Sequence, residues 1–305
     1  MSSKHTSSKK RTQPVAGQVI ATYGRQYEIE LGDGSLVNCV MRGKKGGIAC
    51  GDQVGILPTT PGQGVIETVL PRSSLLYRSD AFRQKLIAAN VTQLIIVVAA
   101  VPSFSEELID RCLIAAENQH IKVLILLNKA DLLEQARAAL TTLSFYQSLD
   151  YPVLSISATQ NIEPLKPYLQ GHTSVLSGQS GMGKSTIINA LLPDAKRATM
   201  EISTALDSGR HTTTHTRLYH LDAQSCIIDS PGLQEFGLHH IDEKELAWGF
   251  VEFRPYLGQC RFSNCRHMAE PDCALLLAAQ HNKINARRLT VYRKLMAAAE
   301  YQKTW

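Results

Sequence analysis

The hydrophobic rhythm of the chain changes twice. From residue 14 to about 70 the apolar positions fall in short alternating runs broken by glycine turns, as in GQVIATYGRQYEIELGDGSLVNCVMRGKKGGIACGDQVGIL. A period of two predicts half-buried strands, and the turns GDG and KKGG keep them short, which predicts a small barrel of the OB type. From Val91 the runs become continuous and alternate with helical patterns. TQLIIVVAAV reads as a buried strand, SEELIDRCLIAAENQH as an amphipathic helix opened by Ser105 as N-cap, and KVLILLNKAD as the next strand. QARAALTTLSFYQSL is a helix and PVLSISA a third strand; TSVLSGQSGMGKSTIINALL is strand, glycine loop and helix; RLYHL and SCIIDSPG are two further strands. Such alternation predicts an α/β fold, a doubly wound and mainly parallel sheet with ligands at the carboxyl ends of its strands. After about residue 240 the pattern is helical and closes on NARRLTVYRKLMAAAEYQ, a basic amphipathic helix. The division that follows is a disordered basic tail at 1–13, a barrel at 14–70, an α/β domain at 71–240 with Pro71 opening a linker, and a C-terminal domain at 241–305.

Composition narrows the class. The 305 residues are enough for two or three domains, and 44% apolar with 19% charged residues is ordinary for a globular chain. No apolar run reaches the length of a membrane span and the first thirteen residues carry no apolar core, so the expected location is cytoplasmic. The formal charge of +5 is mild, but the tail holds Lys4, Lys9, Lys10 and Arg11 without an acid. That tail suits contact with RNA phosphates and equally suits solubility alone. Of seven cysteines, Cys39, Cys50, Cys112 and Cys226 are scattered among apolar neighbours and read as buried small hydrophobes. Cys260, Cys265 and Cys273 crowd around His267, which in a cytosolic protein points to a metal rather than a disulfide.

The chemistry lies in the α/β segment. Gly178, Gln179, Ser180, Gly181, Met182, Gly183, Lys184 and Ser185 fit G-x-x-x-x-G-K-[ST] in full, between a strand and a helix that continues through Thr186. Glycines let backbone N–H groups close around phosphates, Lys184 pairs with the β- and γ-phosphates, and Ser185 ligates Mg²⁺. A structural glycine turn would leave Lys184 unexplained. Asn128-Lys129-Ala130-Asp131 ends a strand. The Asp131 carboxylate matches the paired N–H donors of guanine, which adenine lacks, and Lys129 covers the base. Four residues alone are a weak match and otherwise a polar turn; beside a phosphate loop they gain weight. Ser157 and Ala158 fit the loop whose backbone N–H meets guanine O6, a match that rests on its place one strand later. Asp229-Ser-Pro-Gly232 fits D-x-x-G, with Asp229 on Mg²⁺ through water and the Gly232 N–H on the γ-phosphate. In GRHTTTHTRL, Thr214 is chosen by spacing for Mg²⁺ and the γ-phosphate, with Thr213 next; a polar loop is the plain alternative.

These elements stand in an unusual order. The base-reading motif and Ser157-Ala158 precede the phosphate loop, the threonine loop and D-x-x-G, whereas an ordinary guanine-nucleotide switch begins with the phosphate loop. The order is that of a circular permutation, with the old ends joined by residues 159–172, and the sheet itself is unaltered because domain termini lie at the surface. In consequence the segment after Asp229 and Gly232 runs straight into the C-terminal domain, and nucleotide state is expected to be passed along it.

Taken together, LIAANVTQLIIVVAA, GQSGMGKSTIINAL, GRHTTTHTRLY, IDSPGLQEFGL and CRFSNCRHMAEPDCAL resemble the signatures of the ribosome small-subunit-dependent GTPases, the RsgA or YjeQ family, over nearly the whole chain. The resemblance implies an OB barrel, a permuted GTPase stimulated by the 30S subunit and acting late in its maturation, contact with 16S rRNA, a zinc domain and a monomer. Cys260-x4-Cys265-x-His267-x5-Cys273 offers three thiolates and one imidazole, enough for a closed structural Zn²⁺ site, although the spacing is not that of a familiar finger. The residue after D-x-x-G is Leu233, which cannot orient water, so slow basal hydrolysis is expected. His211 resembles the position proposed in the family to help place water; contact with RNA, or no contact, is the alternative.

Three functions compete on these residues. The first is a GTP-hydrolysing, GTP/GDP-bound assembly factor on the small subunit. The second is a signalling or translation GTPase with a protein partner. The third is an RNA-binding module with a structural nucleotide site. Lys184, Ser185, Asp229 and Thr214 weigh against the third. The barrel, the cysteine module and the basic residues Lys283, Arg287, Arg288, Arg293 and Lys294 weigh against the second.

Overall fold

The computed structural model describes residues 13–43, 47–80, 83–193, 216–230, 238 and 241–303. Its first five strands are β1 (Val15–Tyr23), β2 (Gln26–Leu31), β3 (Leu36–Met41), β4 (Gln53–Thr60) and β5 (Gln63–Val69). They pair in the order β1-β2-β3-β5-β4 and close through β4 back onto β1, with β3 and β5 parallel and the other neighbours antiparallel. Alternate residues Val19, Ile29, Val37, Cys39, Val54, Ile56 and Ile66 fill the interior. The alternation in the sequence is therefore the inside–outside alternation of an OB-type barrel.

Beyond Pro71 the chain folds into an antiparallel hairpin, β6 (Leu75–Asp80) and β7 (Arg83–Ala89). The sequence reading expected a linker here; the segment lacks a clear apolar alternation, and its pairing is local. Arg72 fixes the exit from the barrel by a two-pronged contact to the buried Asp52, Nε and Nη2 each donating at 2.7 Å.

The α/β unit contains β8 (Gln93–Ala99), α1 (Glu106–Asn118), β9 (Lys122–Asn128), α2 (Leu133–Gln147), β10 (Val153–Ser155), α3 (Lys166–Leu169), β11 (Thr173–Ser177), α4 (Lys184–Leu191), β12 (Thr216–His220) and β13 (Cys226–Asp229). Ser105 caps α1, accepting from the Leu108 N–H, as its place in the sequence predicts. The sheet order is β10-β9-β8-β11-β13-β12. All neighbours are parallel except β12, which runs antiparallel to β13. Residues on both faces of β8 and β9 are buried, which explains their continuous apolar runs. Counted from β11, the order becomes 6-5-4-1-3-2. The chain moves outward through β8, β9 and β10, then crosses back to β11 on the other side of β8. That reversal opens a crevice between β8 and β11 at their carboxyl ends. Barrel and sheet are joined edge to edge by β1 and β12 through the pairs Ala21↔Arg217 and Thr22↔Thr216.

The C-terminal unit is built from α5 (Glu243–Trp248), a 3₁₀ turn (Val251–Tyr256), the cysteine loop, α6 (Ala274–Gln280) and α7 (Ala286–Lys303). Asp242 and Glu245 close a capping box on α5. Phe250 and Phe253 stack with ring centroids 4.6 Å apart and meet Tyr292 edge-on. Ile114 of α1 enters the same core, so this unit packs on the back of the α/β sheet. Among the described residues no helix is long and apolar enough to cross a membrane.

Candidate functional site

The phosphate-loop sequence sits between β11 and α4, in the crevice that the sheet reversal opens. Its backbone explains its glycines. Gly181 and Gly183 have φ of 81° and 91°, and Gly178 has φ of 151°. A Cβ on Gly178 would stand 2.2 Å from the Val97 carbonyl oxygen, so the loop crosses the end of β8 at a distance only glycine allows. A Cβ on Gly183 would stand 2.2 Å from Asn128 Nδ2. The two motifs that are 50 residues apart in the chain are thus in van der Waals contact.

Asn128 is the joint between them. It is 3% exposed. Its Nδ2 donates to the Met182 carbonyl at 3.0 Å, and its Oδ1 accepts from the Ala158 N–H at 3.0 Å. One side chain therefore ties the phosphate loop, the end of β9 and the Ser157-Ala158 loop together. The Ala130 N–H to the Ile156 carbonyl adds a backbone tie at 3.0 Å. Lys129 lies in the left-handed region with φ of 60° and donates from Nζ to the Val101 carbonyl at 2.8 Å. Asp131 is exposed just beyond it. Ser157 Oγ lies 3.2 Å from Thr159 Oγ1. The Gln179 side chain accepts from the Ser105 N–H at 2.9 Å, so the loop is also braced by the start of α1.

Lys184 is half-buried and donates to the loop's own carbonyls, to Gln179 at 2.9 Å and to Gly178. Burial lowers its pKa, and the Asp229 carboxylate at the end of β13 opposes that shift. Asp229 thus belongs to the electrostatic field of the same crevice. Ser180, Gly181 and Ser185 are exposed, and Thr186 is partly buried, at the mouth. The fold therefore assembles Asn128, Lys129, Asp131, Ser157, Ala158, 178–186 and Asp229 at one edge of the sheet. Thr214, its alternate Thr213, His211, Gly232 and Leu233 lie outside the described residues.

The second cluster is in the C-terminal unit. Cys260, Cys265, His267 and Cys273 bring their ligand atoms within 4.8 Å of one another. The thiols of Cys260, Cys265 and Cys273 lie 3.4, 3.5 and 3.3 Å from His267 Nδ1, and Cys260 and Cys273 sulfurs are 3.9 Å apart. A tetrahedral ion bound at about 2.3 Å by sulfur and about 2.0 Å by nitrogen requires edges of ~3.8 Å between sulfurs and ~3.5 Å from sulfur to nitrogen. The four residues fit such an ion. Burial lowers the His267 pKa, keeping the imidazole neutral as a ligand must be. His267 has a φ of 60° and Asp272 of 56°, the bends that turn the loop back on itself. Glu270 holds the loop from within, accepting from the N–H groups of Arg266, Met268 and Ala269 at 2.8, 2.8 and 3.1 Å. Burial pushes its carboxyl up, but these N–H groups together outweigh that and bring it down to about 2.

Two expectations are corrected. Arg287 and Arg288, counted from the sequence among the basic residues that, together with the barrel and the cysteine module, suit RNA, point inward to carboxylates. Arg288 is fully buried and donates to Asp110 at 2.8 Å and to both oxygens of Glu252 at 2.7 and 2.9 Å. Arg287 donates to Asp110 at 2.7 Å and to Tyr146 Oη at 3.0 Å. Lys294 contacts Glu107 at 2.7 Å. The partners Asp110, Tyr146 and Glu252 are single residues in three separate elements, and no local pattern marks them. The other correction is Cys226: Cys39, Cys50 and Cys112 are buried as expected, whereas Cys226 is only partly so.

A phosphate loop that follows the base motif in the chain and touches it in space, on a sheet of this order, defines a class: the circularly permuted P-loop GTPases. Comparison with known proteins specifies it. The sequence profile described as RsgA GTPase matches residues 69–239. The protein named small ribosomal subunit biogenesis GTPase RsgA from Nitrosomonas europaea is 59% identical over 300 residues, covering 97% of this chain and 96% of that one. The protein of the same name from Nitrosospira multiformis is 60% identical over 285 residues, covering 93% and 91%. The crystal structure of YjeQ from Thermotoga maritima superposes with a TM-score of 0.72 at 32% identity, covering 93% of this chain and 98% of that one. That of YloQ, titled a circularly permuted GTPase, gives 0.71 at 25% identity and 99% coverage of both. The chain belongs to the RsgA family of GTPases.

Proposed function

We propose that this chain hydrolyses GTP as a biogenesis factor of the small ribosomal subunit, and that the 30S particle accelerates the hydrolysis. The observation that carries the nucleotide half is the Asn128 bridge, because it holds a guanine-reading motif and a phosphate loop in one rigid frame. The ribosomal half is supported by the names of relatives that match this chain nearly end to end.

In this reading Asp131 accepts the two ring-edge N–H donors of guanine, Lys129 covers the base, and the Ala158 region meets O6. The N–H groups of 178–186 and the Lys184 ammonium hold the phosphates. Ser185, Thr214 and Asp229 would hold Mg²⁺, which would supply charge neutralisation of the phosphates. Gly232 contacts the γ-phosphate. Leu233 offers no hydrogen bond to water, so His211 is assigned to placing the water, and basal turnover is slow. Cys260, Cys265, His267 and Cys273 hold one Zn²⁺ that folds the C-terminal unit, since four protein ligands leave no open position. The partners are GTP/GDP, the 30S subunit and its 16S rRNA. The protein acts in the cytoplasm as a monomer.

The test is GTP turnover by the purified protein alone, with 30S subunits and with 50S subunits. Selective acceleration by 30S is expected. Equal rates in all three mixtures would remove the ribosomal assignment and leave the guanine-nucleotide site intact.

A further inference from the structure

Away from both sites, the strand β12 places His220 between two partners. Its Nδ1 lies 3.3 Å from Cys226 Sγ, the first residue of the neighbouring strand β13. Its Nε2 lies 2.6 Å from Glu30 Oε2, on β2 of the barrel. His220 and Cys226 face each other across the local β12–β13 pairing, and the edge-to-edge joining of barrel and sheet brings Glu30 to them. A carboxylate only accepts, so the Nε2 proton is donated to Glu30, and the Nδ1 lone pair is left facing the thiol. Nucleophile, base and orienting carboxylate are in hydrogen-bond series, the arrangement that activates a thiol.

The remaining cysteines sharpen the assignment. Cys39, Cys50 and Cys112 are 1%, 0% and 2% exposed. Cys260, Cys265 and Cys273 belong to the metal cluster. Cys226 is therefore the partly exposed thiol outside any cluster, and the imidazole beside it is 47% exposed, so a small molecule reaches both. Burial, together with the carboxylates of Glu30 and Asp222, keeps the proton on sulfur at rest, so reaction requires His220 to accept it. Neither residue has a part in the GTPase chemistry: Cys226 and Asp229 are at opposite ends of β13, ~10 Å apart at the rise of an extended strand.

We propose that Cys226, His220 and Glu30 form a thiol-modification site that takes a low-molecular-weight disulfide. The Cys226 S–H proton passes to His220 Nδ1 as the sulfur attacks one sulfur of the disulfide. A protein mixed disulfide forms while the S–S bond of the reagent breaks, and the departing thiolate takes the proton back from His220. Cys226 is oxidised and half of the reagent reduced, with no further reactant.

The probe is glutathione disulfide on the intact, metal-loaded protein, with adducts located by peptide mass mapping over time. Cys226 is expected to react at least roughly tenfold faster than any other cysteine of the chain, and His220→Gln to slow it by at least roughly tenfold, the low side of what a positioned base contributes. Glu30→Gln keeps an acceptor for Nε2–H but no charge, and an intermediate loss is expected; a merely structural contact predicts none. GTP binding by each variant reports that the fold is intact, and if His220→Gln fails to fold, Glu30→Gln decides alone. Preferential reaction elsewhere, an unchanged rate in His220→Gln, or full speed in Glu30→Gln overturns the proposal.

Discussion

Asn128 shows how one residue can do two jobs at once. Truncation to Ala leaves the Ala158 N–H and the Met182 carbonyl without their partner inside a buried joint, which costs about 1–3 kcal/mol. Asn128→Ala is therefore expected to lower the melting temperature and weaken GTP binding together; a loss of stability with nucleotide affinity unchanged counts against the bridge. Asp131 is exposed and holds no such frame, so its substitution isolates recognition from folding. Asp131→Asn is expected to shift preference from guanine to xanthine nucleotides at unchanged stability, read by competitive binding of GTP and XTP. Glu270 works on the metal loop in a similar way. Its pKa is depressed to about 2 in the fold, so its contribution is present above the unfolded value of ~4.3 and is lost as pH falls from there toward about 2. Glu270→Gln should speed chelator-driven loss of the metal ion that the Cys/His cluster holds in the proposed reading at neutral pH, and the gap from the parent protein should close as pH falls through that window.

At the scale of elements, the packing of α7 on α1 rests on charge as well as on apolar burial. Asp110 and Arg288 are both fully buried, and Tyr146, Arg287 and Glu252 complete the network. Removing one member strands an opposite charge, which costs about 3–5 kcal/mol. Asp110→Ala is expected to lower stability by that order in denaturant titrations followed by tryptophan fluorescence. Replacing Asp110, Arg288 and Glu252 together by apolar residues of similar volume should recover much of it, because the desolvation penalty then disappears with the charges. The basic helix that a sequence reading turns toward RNA is thus partly an internal clamp. Amphipathic spacing identifies a buried face but not the sign of what lies under it.

Over the whole molecule, permutation routes the chain from Asp229 directly to the unit that α1 and α7 clamp against the sheet. Two paths then run from the nucleotide crevice to the C-terminal unit: the covalent one, and α1, whose first turn is tied to the phosphate loop by Gln179 and whose flank carries Asp110 and Ile114. Hydrogen exchange in residues 241–305 is expected to differ between the GDP and non-hydrolysable GTP-analogue complexes, with and without 30S subunits. Identical protection in every state would show that the clamp isolates the C-terminal unit from the nucleotide.

The motifs and their order were decided by sequence alone, because they depend on local backbone requirements: glycines where φ is positive, Lys184 and Ser185 at a helix start, and alternation of period two or continuous apolar runs for half- or fully buried strands. The Cys260, Cys265, His267 and Cys273 cluster was legible for the same reason, its members being close in the chain. Tertiary structure alone decided what long-range packing brings together. Gly183 against Asn128, Asp110 under Arg288, and Glu30 beside His220 have no signature in spacing. Each depends on which strand edges meet and which helix faces pack, and a sequence pattern records that a face is buried without naming the residue across from it.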